Sequence, residues 1–199
     1  FFKQKTAYEI YQCDWSSDVS SSDLAVWELM REQRYGRIVM TTSSSGLYGN
    51  FGQSNYGAAK MALVGFMQTL ALEGEKYDVR VNCLAPTAAT QMTQGVLNEA
   101  SLNGLNPALV SPALYVLAGE DAPTRTVLCA GAGHFAAANV TLNQGVYIGS
   151  GEDAGERLAA AWAQVSDRTG DLVPGYGFAQ AERELANAGL TGSVAAVAH

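Results

Sequence analysis

The spacing of apolar residues changes several times along the chain, and each change predicts a different element. Three short apolar runs rich in β-branched residues, at 37–42, 79–84 and 126–130, predict buried strands. Between residues 55 and 76 large and small apolar residues recur at helical spacing and predict the longest helix, with a wide apolar face. Shorter helical patterns occur at 92–100, 111–118, 152–166 and 178–188. A weak alternation at 140–148 predicts a further strand.

Glycine, proline and serine predict where these elements end. Helical spacing that begins at Leu24 ends at Gly36, and Pro86 ends the second strand. Residues 43–52 contain three serines and three glycines, a composition that predicts a loop.

The alternation of strands and helices predicts the α/β class, with a parallel sheet covered on both faces. Such a sheet binds ligands beyond the carboxyl ends of its strands, where the loops 43–52 and 85–93 are expected. We predict a partial doubly wound, Rossmann-like sheet that lacks its N-terminal cofactor-binding strands. An irregular helical tail is expected to follow it.

Composition divides the chain into three predicted regions. Residues 1–24, rich in serine and aspartate, are expected to be a leader foreign to the domain or a disordered native terminus. Residues 25–135 carry the strand and helix patterns, and residues 136–199 form an acidic extension with no assigned role. The first residue is Phe1, so we expect the chain to begin inside a longer reading frame.

Composition also excludes several classes of protein. Of 199 residues, 48% are apolar and 16% charged, which excludes an intrinsically disordered chain. No apolar run reaches the roughly 18 residues of a membrane span. The net charge of −7 argues against nucleic-acid binding. The three cysteines lack metal-ligand spacing and predict neither a metal site nor a disulfide framework, so we expect a reduced, cytoplasmic compartment.

Tyr56 and Lys60 are the first candidates for chemistry. They are four residues apart on the predicted 55–76 helix and therefore share a face. A tyrosine hydroxyl has a reference pKa of about 10, and a neighbouring ammonium lowers the pKa of a phenol by favouring its charged form. Such a pair can act as a general acid or base near neutral pH.

Ser43 extends this pair. It lies 13 residues before Tyr56, at the end of a predicted strand, where its hydroxyl can polarise a substrate carbonyl. The structural alternative is a polar helix start that happens to follow a serine-rich loop.

The stretch that carries these residues resembles the short-chain dehydrogenase/reductase family. From GRIVMTTSSSGLYGNFGQSNYGAAK to VRVNCLAPTAATQMT it is similar to the second half of such a domain, closely over residues 25–97 and more loosely to 135. Within the family it is most similar to the 3-hydroxyacyl-CoA dehydrogenase domains of peroxisomal type 2 multifunctional enzymes and their bacterial relatives.

The resemblance implies a nicotinamide cofactor, NAD or NADP with NAD favoured, and a small-molecule substrate. It implies Tyr56 as the catalytic acid or base, and Lys60 as the group that favours its phenolate and holds the nicotinamide ribose. It implies that Ser43 orients the substrate oxygen. The residues implied to close on the nicotinamide follow the second strand: Pro86, Ala88, Ala89 and Thr90. It also implies a homo-oligomer formed through the 55–76 helix, with no membrane or nucleic acid as partner.

Three departures from the family pattern stand out. Ser44 and Ser45 adjoin Ser43, so the choice of Ser43 among the three serines rests on its spacing from Tyr56. Thr87 follows Pro86 where many members have glycine, and Thr90 stands one place before the usual threonine. The glycine-rich phosphate loop and the acidic residue that selects the cofactor belong upstream of the resemblance, and this sequence contains neither. We therefore expect the activity in a longer parent protein and expect this chain alone to be inactive.

Other interpretations remain open. The chain is alternatively a truncated, inactive or partner-dependent module. A sugar-nucleotide epimerase or dehydratase also carries Tyr-x-x-x-Lys, although the strand end at 82–86 and the short tail count against it. Residues 131–136 match G-x-G-x-x-A and are either a dinucleotide fingerprint or, as we expect, a glycine-rich turn at a strand end.

Overall fold

A four-stranded sheet organises the first of two units. The computed structural model describes residues 26–89, 102 and 104–190. The chain divides into Phe1–Ala138, the sheet unit, and Asn139–His199, the C-terminal unit. The strands lie in the order β1-β2-β3-β4, and they are β1 Gly36–Thr41, β2 Val79–Thr87, β3 Val127–Gly131 and β4 His134–Ala138. The first three are parallel and β4 is antiparallel to β3. The predicted α/β class with a partial, mostly parallel sheet is confirmed.

Helices connect these strands. The sheet unit contains α1 over residues 26–33, α2 Ser44–Tyr48, α3 Ser54–Gly74 and α4 Ser111–Ala118, with 3-10 turns at Glu75–Tyr77 and Pro107–Leu109. The predictions for 55–76 and 111–118 are therefore confirmed. The predicted helix at 92–100 lies outside the described residues.

Two clusters of buried side chains hold the sheet unit together. The larger joins α1, α3 and the first three strands, with members such as Trp27, Met67 and Val81. The smaller lies between α4 and the sheet around Leu84 and Leu117.

At the end of α3, a Cβ on Gly74 would stand 2.5 Å from the Val79 carbonyl oxygen, so only glycine allows this close turn into β2. Met61 and Leu72 lie exposed on α3, and the oligomer through this helix stays a prediction.

Two predicted boundaries are wrong. Strand β2 does not end before Pro86 but continues to Thr87. Leu84 faces β1, since its carbonyl accepts from the Thr42 amide, and alternation turns Pro86 the same way. Because β1 has already ended at Thr41, no ladder bond needs the missing proline N–H. The predicted loop at 43–52 contains helix α2, capped by Ser43.

The connection between α2 and α3, residues 49–53, is a true loop. Gly49 and Gly52 have φ values of 77° and 76°, in the left-handed region that favours glycine. The Phe51 side chain between them is fully exposed.

The G-x-G-x-x-A segment is a hairpin. Ala132 and Gly133 have φ values of 51° and 74° and form the two-residue turn between β3 and β4. A strand follows the turn where a dinucleotide fingerprint needs a helix, so the expected glycine-rich turn is confirmed. The strand predicted at 140–148 is wrong: apart from an isolated bridge at Leu142, those residues form no strand.

The C-terminal unit is built from short helices and loops. Its helices are α5 Ala154–Ala160, α6 Trp162–Val165 and α7 Ala179–Asn187. The predicted helix at 152–166 is thus divided at Ala161, and the one at 178–188 is confirmed. Leu142 and Leu172 form an antiparallel bridge. In the described parts of the chain no helix is long and apolar enough to cross a membrane, and no cluster of His, Cys, Asp or Glu could hold a metal ion.

Candidate active site

The first turns of α3 place a cation beside a phenol. The Lys60 Nζ lies 5.8 Å from the centroid of the Tyr56 ring, one helical turn away. The Tyr56 side chain is 41% exposed, so its hydroxyl is accessible to a ligand from solvent. The sequence spacing predicted this pair, and the structure brings the two side chains together.

The Lys60 ammonium lies at the carboxyl end of β1. Its Nζ donates a hydrogen bond of 2.9 Å to the carbonyl oxygen of Thr41, the last residue of that strand. This is the edge at which parallel sheets bind ligands. The cation therefore lies where a ligand of the sheet would meet it.

Ser43 caps helix α2. Its backbone is extended, with φ −155° and ψ 152°, and its Oγ accepts from the Ser45 amide at 3.2 Å. The hydrogen bond of the Ser43 side chain is thus local and joins it to neither Tyr56 nor Lys60. Because Oγ serves there only as an acceptor, the hydroxyl hydrogen remains available to a ligand oxygen. The cap and a substrate contact are compatible.

Glycine brings the helix that follows Ser43 close to Tyr56. A Cβ on Gly57 would stand 3.0 Å from the carbonyl oxygen of Ser45. Any side chain at position 57 would require the Ser45 carbonyl to move by a few tenths of an ångström. The first turn of α2, which Ser43 caps, therefore packs closely against the first turn of α3, which carries Tyr56.

The loop after β2 lies at the same edge of the sheet. Thr41 and Leu84 are partners in the β1–β2 register, so the residues after Leu84 extend past the end of β1. Pro86, Ala88 and Ala89 are partly buried. Ala88 packs against the smaller cluster, and the Ala89 amide donates to the Leu105 carbonyl at 2.7 Å. Thr90, the fourth predicted cofactor residue, lies outside the described residues.

Sequence reasoning missed a contact from β3. Tyr48, at the end of α2, lies beside Cys129, and the pKa of the Tyr48 phenol is raised chiefly by its electrostatic interaction with the Cys129 side chain. The residues are 81 positions apart (129 − 48) and share no motif, so only the strand order could have revealed the contact.

Cys83 is a different kind of cysteine. It belongs to the core, its Sγ donates weakly to the Leu63 carbonyl at 3.6 Å, and burial raises its pKa to about 12. Its thiol stays protonated at neutral pH and is no candidate nucleophile.

The chain is similar to known proteins of one enzyme family. The family model described as short chain dehydrogenase matches residues 2–101. A short-chain type dehydrogenase/reductase of Mycobacterium tuberculosis is 44% identical over 153 residues, which cover 76% of this chain and 53% of the relative. An acetoacetyl-CoA reductase of Allochromatium vinosum is 29% identical and matches 73% of this chain and 62% of its own.

The fold is also similar to solved structures. Full-length peroxisomal multifunctional enzyme type 2 of Drosophila melanogaster superimposes with a TM-score of 0.72 and 32% identity, over 83% of this chain and 31% of that one. The chain spans about half the length of the mycobacterial relative, 53%.

Proposed function

The chain belongs to the short-chain dehydrogenase/reductase family of oxidoreductases, and we propose that the complete protein containing it interconverts a secondary alcohol and a ketone with a nicotinamide cofactor. The proposed substrate class is a 3-hydroxyacyl thioester and its 3-oxo form. The name of the acetoacetyl-CoA reductase among its relatives supports this class. The activity is assigned to the complete protein because the chain spans only 53% of its mycobacterial relative.

The observation that carries the proposal is the Tyr56–Lys60 pair at the end of β1. The Lys60 Nζ lies 5.8 Å from the centroid of the Tyr56 ring, so a positive charge stands beside the phenol that exchanges the proton. In the direction of oxidation, the Tyr56 oxygen accepts the proton of the substrate hydroxyl. In the direction of reduction it returns that proton to the carbonyl oxygen.

Ser43 is proposed to donate its free hydroxyl hydrogen to the same substrate oxygen. That oxygen gains negative charge as the C–O bond order changes, and a fixed donor stabilises the charge. The cap bond to Ser45 fixes the serine Oγ. The bond therefore orients the donor before substrate arrives.

The residues present fit the nicotinamide end of the cofactor. Lys60 supplies an ammonium for ribose hydroxyls at the end of β1, and Pro86, Ala88 and Ala89 supply an uncharged, partly buried surface at the end of β2. Thr90 is proposed as a further contact of the same loop. The chemistry that the cofactor supplies when bound is the acceptance or donation of a hydride. NAD is favoured over NADP on resemblance.

The test is turnover by the complete protein with a 3-hydroxyacyl-CoA and either NAD or NADP. Tyr56→Phe is expected to lower kcat by at least about 100-fold, since it removes the proton-transfer group. Tyr115→Phe is the matched control, because Tyr115 is 83% exposed on α4, and its kcat should equal that of the unsubstituted protein.

Two outcomes would refute the proposal. A Tyr56→Phe protein with unchanged kcat would remove the mechanism. A folded complete protein without turnover on any 3-hydroxyacyl or simple secondary alcohol would favour the alternative, an inactive or partner-dependent module.

A further inference from the structure

One short segment holds Lys60 at three points. The Thr41 carbonyl accepts from the Lys60 Nζ at 2.9 Å. The Thr42 Oγ1 donates to the Lys60 backbone carbonyl at 2.7 Å. Gly46 lies so close that a Cβ there would stand 2.8 Å from the Lys60 Cβ. All three contacts come from residues 41–46, which also contain Ser43.

Thr42 is fixed on two sides. Its side chain is 1% exposed, and its amide donates to the Leu84 carbonyl of β2 at 2.8 Å. A buried hydroxyl needs a partner, and here the partner is a carbonyl inside helix α3. Helix geometry already gives that carbonyl the amide four residues later, so the helix itself does not require the second bond. The bond instead fixes the position of α3 relative to the end of β1.

Gly46 fixes the separation of α2 and α3. Besides the Lys60 Cβ, an added methyl group would meet the Lys60 carbonyl carbon and the Met61 amide nitrogen, each at 3.0 Å. The 2.8 Å contact requires something to move, and the Lys60 Cβ is bonded directly to the backbone, to which the two atoms at 3.0 Å belong. Any side chain at position 46 therefore displaces the turn of α3 that carries Lys60.

We propose that Thr42 and Gly46 are positioning residues that act on the reaction through Lys60. The inference rests on the proposed function for its catalytic consequence, and on the three contacts for its geometry. The buried Thr42 hydroxyl already donates to the Lys60 carbonyl, and Gly46 has no side chain, so neither residue offers a group to substrate. The segment ties Ser43 to Lys60, so the substrate-orienting hydroxyl and the cation keep one spacing.

The activity test is a double-mutant cycle in the complete protein. Thr42→Val, which keeps the shape and loses the hydroxyl, should lower kcat about fivefold to tenfold, the usual effect of one lost hydrogen bond. The KM for the acyl substrate should change less than about twofold, because Thr42 does not touch that substrate. Thr42→Ser should restore kcat.

The same Thr42→Val substitution in a Lys60→Ala protein tests whether its effect on kcat depends on Lys60. In a Lys60→Ala protein, Thr42→Val should change kcat by less than about twofold, since the group it positions is gone. Equal losses in both backgrounds, or a Thr42→Val protein with normal kcat, would overturn the inference. Gly46→Ala is the second variant and removes no hydrogen bond. It should likewise lower kcat in the otherwise unsubstituted protein and leave kcat nearly unchanged in the Lys60→Ala protein.

A labelling measurement tests the geometry without any turnover. The 199-residue chain is treated with an amine-reactive reagent, and the labelling rate of Lys60 is divided by that of Lys76, which follows α3. Thr42→Val and Gly46→Ala should each raise this ratio at least about threefold, by loosening the ammonium from Thr41. An unchanged ratio in both variants would overturn the inference. A raised ratio, together with a complete protein that shows no turnover, would sustain the inference and refute only the proposed function.

Discussion

The sheet unit and the C-terminal unit are held together in different ways. The sheet unit has two clusters of buried apolar side chains. In the C-terminal unit none of the described residues, 139–190, is buried. Its loops are held instead by side chains that donate to backbone carbonyls. The first unit owes its structure to burial, the second to individual polar bonds.

Arginine and asparagine supply those bonds. Arg157 donates to the Ile148 carbonyl at 2.6 Å and to the Ser150 carbonyl at 2.8 Å. Arg183 donates to the carbonyl of Asn143 at 2.7 Å, and the Asn143 amide donates to Val165 at 2.6 Å. Each such bond contributes about 1 kcal/mol net in water, well below the contribution of a buried leucine. We therefore expect the C-terminal unit to open more readily than the sheet unit.

A pair of leucine substitutions should show the largest difference. Leu117 in α4 is 0% exposed and Leu158 in α5 is 43% exposed. Leu117→Ala should lower the free energy of unfolding by about 2–5 kcal/mol, because it leaves a cavity. Leu158→Ala should change it by less than about 0.5 kcal/mol. Urea unfolding followed by circular dichroism measures both, and similar losses would mean that the C-terminal unit also depends on burial.

A pair of asparagines gives a smaller effect. Asn82 is fully buried, donates to the Pro123 carbonyl at 2.7 Å and accepts from the Thr126 amide at 3.1 Å. Asn82→Ala should cost about 1–3 kcal/mol, since it leaves buried polar groups without partners. Asn143→Ala, which breaks one bond in a half-buried site, should cost about 0.5–1.5 kcal/mol.

Thermal melts and amide exchange locate these two losses. Asn82→Ala should raise exchange around β2 and β3, and Asn143→Ala only within residues 139–190. If Asn143→Ala raised amide exchange in both units, the two units would not be stabilised separately.

Two aspartates give the smallest effect, one that depends on pH. Burial raises the pKa of the Asp78 carboxyl, but hydrogen bonds from Arg80 at 3.0 Å and Arg37 at 3.2 Å outweigh it, so the pKa lies below its ordinary value. A lowered folded-state pKa stabilises the protein above the unfolded pKa of about 3.9, and the stabilisation is lost as pH falls through the folded pKa.

Asp78→Asn should therefore lower the melting temperature by about 1–3 °C near neutral pH and by less below about pH 4. Asparagine suits the φ of 53° at this position, so backbone strain is not added. In the C-terminal unit, the Thr169 amide lowers the pKa of Asp167 through a local bond of 2.9 Å. Asp167→Asn should lower the melting temperature by less than Asp78→Asn does. A larger decrease at Asp167 would show that the charge in the C-terminal unit contributes more to stability.

The sequence predicted the parts of the fold that follow from periodicity. The apolar runs located β1, β2 and β3, and the helical spacing located α3 and α4, whereas strand β4 was not predicted. The errors lie where one residue overrides the pattern. Ser43 caps a five-residue helix inside a glycine-rich stretch, and Pro86 continues a strand because its nitrogen faces no partner. The turn at Ala132 and Gly133 brings the next strand forward to His134.

The candidate site was predictable only as far as its residues are neighbours in sequence. Tyr56 and Lys60 share a helical face, so their spacing sufficed. The contact of Thr42 with Lys60, 18 positions apart, depends on how far β1 extends before α3 returns across it. Cys129 needed the order of the strands. Spacing along one helix is local information, whereas a contact between elements requires the packing.

The loop between α2 and α3 does not contribute to the contacts that hold Lys60, so its sequence can vary in evolution without moving that residue. Residues 49–53 make none of the three contacts that hold the lysine, and Phe51 at their tip is fully exposed. Insertions or exchanges there would alter what a ligand meets near the phenol while the proton-handling pair keeps its geometry. Substrate preference in such proteins can therefore diversify at this loop without a compensating change elsewhere.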